Sequence, residues 1–167
     1  MTRLTFPDNT TLLSFAFIGR MDLLADLVHG SGVWCATVAR ESETWMEELG
    51  FEAVATAGTI FGEPLVPTRA ELIDIQVLRD RLAGPGDGPH QHLGEAETIV
   101  IARTRYPGSR FVTDDGDAQR LARTEGLLPL GTGNLLDLAV RVEYINKPTR
   151  DGYEASIRRA GRIPARW

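Results

Sequence analysis

Apolar positions along the chain fall into two alternating kinds of run. Short stretches rich in β-branched, aromatic or continuous apolar residues, LTF at 4–6, VWCATV at 33–38, RFVT at 110–113 and LLPL at 127–130, predict strands. Between them, apolar residues recur every three or four positions through 21–28, 41–49, 68–83, 95–106 and 117–126, the period of helices with one buried face. The run LLSFAFIG at 12–19 predicts a buried helix, and NLLDLAVRVEYI and YEASIRRA, beyond Thr132, predict two more. The punctuation agrees: Thr68 and Glu71 have capping-box spacing, and Gly126 stands where a helix-ending glycine is expected. Strands alternating with helices predict an α/β domain on a mainly parallel sheet. The breaker-rich segment GPGDGPHQHLG at 84–94 is short, with similar composition on both sides, so it reads as a loop inside one domain spanning 1–167.

Composition narrows the picture. With 167 residues, 43% of them hydrophobic, the chain can bury one sizeable core. Cys35 is the only cysteine, which excludes an intrachain disulfide and a cysteine-based zinc site and makes a reducing, cytoplasmic setting the expectation. Residues 12–19 are too few to span a bilayer and follow Asp8, Asn9, Thr10 and Thr11 instead of a basic segment, so neither a membrane span nor a signal peptide is expected. A net charge of −5 and a pI near 5.2 argue against nucleic-acid binding through a broad basic face. Nucleic-acid chemistry on such a protein needs metal ions as intermediaries.

Acidic residues gather at places where such ions could sit. Asp8 follows the first predicted strand, Glu41 follows the second at a helix start, Glu95 opens the helix after the glycine-rich loop, and Asp114, Asp115 and Asp117 follow FVT. Ligands of open parallel sheets bind at the carboxyl ends of strands. Crowded carboxylates repel and persist where protons or cations neutralise them, and oxygen-only ligands select Mg²⁺ or Mn²⁺. Each acid has a local alternative, because Asp8 and Asp117 suit helix caps and Glu41 suits a first helical turn. Glu95 and Glu97 lie about 200° apart on a helix, so one faces the cleft and the other is expected on the surface. Asp114 and Asp115 alternate in direction, so a single pocket takes one of them.

Three other motifs carry less. GTGNLL at 131–136 has Leu136 where a dinucleotide fingerprint needs glycine or alanine, which leaves a tight turn. His90 and His92 have metal-ligand spacing in a mobile-looking loop but no evident third ligand, so they read as solvated. Arg158, Arg159, Arg162 and Arg166 form a basic tail, read first as a solvated face, with RNA contact or partner docking as alternatives.

The order and spacing of these residues resemble the PilT N-terminus (PIN) domain family, especially its bacterial toxin branch. The matching pieces are DNTTLLSFAFIGRMDLL from Asp8, VARE ending at Glu41, LGEAETIVIA with its acid at Glu95, Thr113 and Asp115 with Asp117 two residues on, and Gly131 and Thr132. Gln119 departs from the pattern by standing at the expected arginine position. The resemblance implies a three-layer α/β/α sandwich, with 149–167 as a C-terminal helix and basic tail. It implies a Mg²⁺- or Mn²⁺-dependent ribonuclease with Asp8, Glu41, Glu95 and Asp115 as catalytic residues. Asp8, Glu95, Asp115 and Asp117 would be the metal ligands, with Asn9, Thr10 and Thr113 supporting them. RNA is the implied substrate and a small antitoxin protein the implied partner, with a homodimer allowed. A non-catalytic binding module and a housekeeping RNA- or DNA-processing nuclease stay open as alternatives.

Overall fold

The computed structural model describes residues 3–50 and 52–167. In chain order the elements are β1 (Thr5–Pro7), α1 (Asn9–Phe17), α2 (Met21–Leu27), α3 (Ala36–Leu49), α4 (Glu52–Ala55), α5 (Ala57–Phe61), α6 (Arg69–Leu82), α7 (Leu93–Arg105), β2 (Arg110–Val112), α8 (Gly116–Thr124), β3 (Leu128–Leu130), α9 (Thr132–Arg141) and α10 (Lys147–Arg159). The three strands form a parallel sheet in the order β1-β2-β3, with Thr5 opposite Arg110 and Arg110 opposite Leu128. This is a mixed α/β fold. Strand alternation divides the core: Phe111 packs in one cluster with Phe6, Leu78 and Ile99, while its neighbour Val112 packs in another with Leu12, Phe15 and Leu136. No helix among the described residues is long and apolar enough to cross a membrane.

The expected strand at 33–38 is a correction. Isolated parallel bridges join Thr5 to Gly32 and Cys35 to Leu65, and α3 then begins at Ala36. The cause is a distant cap. Glu97 of α7 accepts the Thr37 amide at 2.8 Å and the Thr37 hydroxyl at 2.7 Å, meeting the free donors of the first turn with a negative charge. Glu41 consequently sits inside the second turn, not at a helix start. Elsewhere, α6 has its capping box, with the Thr68 hydroxyl accepting the Glu71 amide and Glu71 accepting the Thr68 amide. The last helix starts well before Tyr153, because Asn146 caps it and Pro148 fits its first turn.

Candidate functional site: a carboxylate pocket at the strand ends

All three strands deliver polar residues at their carboxyl ends: Asp8 after β1, Thr113 to Asp115 after β2, and Gly131 with Thr132 after β3. Asp8 is 3% exposed and caps α1. Its Oδ1 accepts the Thr11 amide at 3.2 Å and the Thr10 hydroxyl at 2.6 Å, and its Oδ2 accepts the Thr113 hydroxyl. Thr113 Oγ1 also accepts the Asp115 amide at 3.1 Å, so one hydroxyl ties the first acid to the backbone of the third. Asp115 caps α8 through the Ala118 amide at 2.9 Å. From the other side, α7 brings Glu95 in its first turn, and α3 brings Glu41 against Gly94, where an added Cβ would meet Glu41 Oε2 at 3.0 Å. Asn9 donates its side-chain amide to Glu41 and accepts the Ser42 hydroxyl at 2.6 Å.

The electrostatics follow from burial and mutual repulsion, which outweigh the nearby charges of Arg40 and Arg162. Burial, then the charge of Glu95, pushes Asp8 up to about 7 against the pull of its hydroxyl and amide donors. The same two causes push Glu41 up to about 7, against the Asn9 donor. Burial also raises Glu95, with Asp115 adding to it and His92 opposing. Among the described residues, no Lys or Arg pairs with Asp8, Glu41, Glu95 or Asp115, and the His92 ring stands with Nδ1 4.0 Å from Glu95 Oε1. Cys35 is fully buried and its thiol is pushed up to about 12, which leaves it inert.

Asp8, Glu41, Glu95 and Asp115 are thus brought into one region, whereas Asp117 is not: it is exposed and paired with Arg120. Asp114 turns the opposite way, accepting from the Thr132 amide at 2.8 Å, the Thr132 hydroxyl at 2.7 Å and the Ala165 amide at 3.0 Å. Glu97 is a correction, being a buried cap for α3 and not a surface residue. Gln119 is buried and donates to the Thr113 carbonyl at 2.8 Å, so it braces the strand end. The loop at 84–92 is pinned through Arg79, which donates to the Gln91 carbonyl at 3.1 Å and to the Gly88 carbonyl. His90 is exposed there, but His92 reaches the carboxylates, a placement the His-x-x-Glu spacing at a helix start could have signalled.

The tail is another departure from a solvated face. Arg166 pairs with Asp137 at 2.7 Å and with Glu154, and the Gly133 amide donates to the Ala165 carbonyl at 2.9 Å. A Cβ at Gly131 would stand 2.1 Å from that carbonyl, so the glycines of GTGNLL admit the tail's backbone. Arg158 and Arg159 stay exposed. Arg162 lies 5.6 Å from the Phe17 ring centroid, half-buried, with its charge facing Asp114 and Asp8.

Comparisons with protein-family models, curated proteins and solved structures gave no match to this chain.

Proposed function

We propose that the protein is a metal-dependent phosphodiesterase whose centre is the pocket of Asp8, Glu41, Glu95 and Asp115. The observation that carries this is the convergence of one buried and three partly buried carboxylates near the strand ends, with no Lys or Arg ion pair to any of them among the described residues. More narrowly, it is proposed as a PIN-type ribonuclease of three-layer architecture, acting in the cytoplasm as the toxin of a toxin–antitoxin pair. Helix packing on both sides of the sheet and the order of the acids support that assignment.

The donor set fits a divalent cation, since all four acids are negative when ionised and three have raised proton affinity that a cation would replace. Such an ion would supply charge neutralisation at the attacked phosphate and an activated water. The chain's residues supply the rest. Thr10, Thr11 and Thr113 lock the Asp8 carboxylate, and Thr113 transmits that position to Asp115. Glu41, held by Asn9 and titrating near neutrality, is placed to take the proton of an attacking water. Arg162 offers the phosphate a half-buried cation beside Asp8.

The test is incubation of the purified protein with single-stranded and structured RNA in Mg²⁺, Mn²⁺ or EDTA. Glu95→Gln and Asp115→Asn should each lower cleavage at least about 100-fold, while Asp117→Asn should leave it within about two-fold. Metal-independent cleavage, or loss of activity in Asp117→Asn alone, would overturn the assignment. Expression alone should slow bacterial growth, and a co-expressed adjacent small protein should relieve it. Harmless expression of a cleaving protein would remove the toxin role and leave the nuclease.

A further inference from the structure

His92 occupies a position that loop closure alone does not explain. It precedes α7 with φ at 64°, in the left-handed region, and its Nε2 lies 3.1 Å from Asp87 Oδ2. Asp87 is itself fixed by the Gly84 amide at 2.6 Å. With the carboxylate accepting the Nε2 proton, the neutral ring presents a lone pair at Nδ1, on the side where Glu95 Oε1 stands 4.0 Å away. One donor atom from each of His92, Glu95 and Asp115 lies within 4.8 Å of the other two. Closing the loop requires only the Nε2 contact. It leaves a lone pair beside Glu95, with Asp115 in the same cluster, an arrangement that is repulsive until a positive charge enters it. A proton on Nδ1 gives a contact to Glu95 too long for a hydrogen bond, whereas a metal ion can bind all three donors. A carboxylate behind one imidazole nitrogen is also how proteins orient a histidine that binds metal through the other.

We infer that His92 is a nitrogen ligand at this pocket, and that the site is built for a divalent first-row transition ion, with Mn²⁺ as its probe, in preference to Mg²⁺. Mg²⁺ takes oxygen donors, while imidazole is a ligand for transition ions and carboxylates suit Mn²⁺. The inference rests on the metal-dependent reading proposed above and adds a ligand that changes which ion binds. Glu95 and His92 are both partly open to solvent, which gives the ion a route in.

The experiment is calorimetric titration of the metal-free full chain with Mn²⁺ and with Mg²⁺, for the native sequence, His92→Asn, Asp87→Asn and Asp8→Asn. Asparagine tolerates positive φ, so His92→Asn should fold, and its melting curve checks this. Expected is a loss of about 10- to 100-fold in Mn²⁺ affinity for His92→Asn, with Mg²⁺ affinity within about two-fold of native. Asp87→Asn should shift Mn²⁺ affinity in the same direction by about 10-fold. Spin-echo spectra of bound Mn²⁺ should show imidazole-nitrogen modulation in the native protein and none in His92→Asn. Unchanged Mn²⁺ binding in His92→Asn, with binding lost in Asp8→Asn, would overturn the histidine ligand and leave the carboxylate centre standing. Equal losses for both ions in His92→Asn would overturn the selectivity. A native protein that binds neither ion would remove the inference and the metal-dependent function together.

Discussion

Asp8 has two duties that pull on its charge in opposite directions. As the cap of α1 it accepts an amide hydrogen bond, which favours the anion, yet burial and Glu95 push its pKa up to about 7. A folded pKa above the unfolded value of about 3.9 gives stability that is fully present below that unfolded value and is lost as pH rises through the folded one. The metal-free protein should therefore lose stability between about pH 4 and about pH 7, by an amount on the order of a few kcal/mol. Glu41, also raised to about 7, adds to the loss in the same window. Asparagine caps helices as well as aspartate does, so Asp8→Asn should melt several degrees higher than native near neutral pH in EDTA and no higher near pH 4. Mn²⁺ at about 100 times its dissociation constant should restore about 2.7 kcal/mol to the native protein and little to the variant. A native melting temperature flat across that range in EDTA, with Asp8→Asn strongly destabilised, would make Asp8 a cap and nothing more.

Among the elements, α3 shows how a contact remote in sequence overrides local pattern. Glu97 stands 60 residues from Thr37, and its carboxylate meets the free end of the helix in a buried setting. Glu97→Gln removes that charge and leaves one donor facing an amide, so it should cost about 1–3 kcal/mol of stability. The check is chemical denaturation of the variant beside Asp117→Asn, which should unfold at the native midpoint. Unchanged stability in Glu97→Gln would mean the cap contributes nothing net. The same contact explains what sequence pattern could and could not reveal. Residues 4–6, 110–113 and 127–130 were legible as strands because each apolar run is short and ends at a turn or a polar residue, and α6 was legible from its own Thr68–Glu71 cap. VWCATV carries equal β propensity, but an acceptor on another helix, the Glu97 carboxylate, decides its fate, and periodicity within 33–38 cannot register that. The convergence of Asp8, Glu95 and Asp115 was legible from their positions after predicted strands and at a helix start, whereas Glu41, expected at a helix start, lies in the second turn of α3. The burial of Glu97 depends on α3 and was not legible, while the inward turn of His92, set by Asp87 and a positive φ, left only its His-x-x-Glu spacing as a signal.

At the scale of the whole molecule, the tail at 162–167 ties the strand ends together from outside. Ala165 donates to Asp114 and accepts from Gly133, the Trp167 amide donates to Asn134 Oδ1 at 2.9 Å, and Pro164 is buried. Asp114 therefore joins β2, the start of α9 and the tail around one carboxylate, directly behind Asp115. A chain ending at Ile163 keeps Arg162 but loses these contacts, leaving the Gly133 amide and one side of Asp114 to water. It should be destabilised by about 1–3 kcal/mol, a drop of several degrees in melting temperature. Gly131→Ala should cost a similar amount in the full chain, because its Cβ would stand 2.1 Å from the Ala165 carbonyl and the tail must lift. Gly131 has φ at −116° and ψ at 173°, extended backbone that alanine adopts freely, so the cost comes from the tail alone. The two changes should consequently not add: in the chain ending at Ile163, Gly131→Ala should be neutral within about 0.5 kcal/mol. Thermal melting of the four proteins in this double-mutant cycle measures the coupling. Full additivity would mean that the tail does not rest on the glycines in solution, and that Asp114 is organised by Thr132 without it.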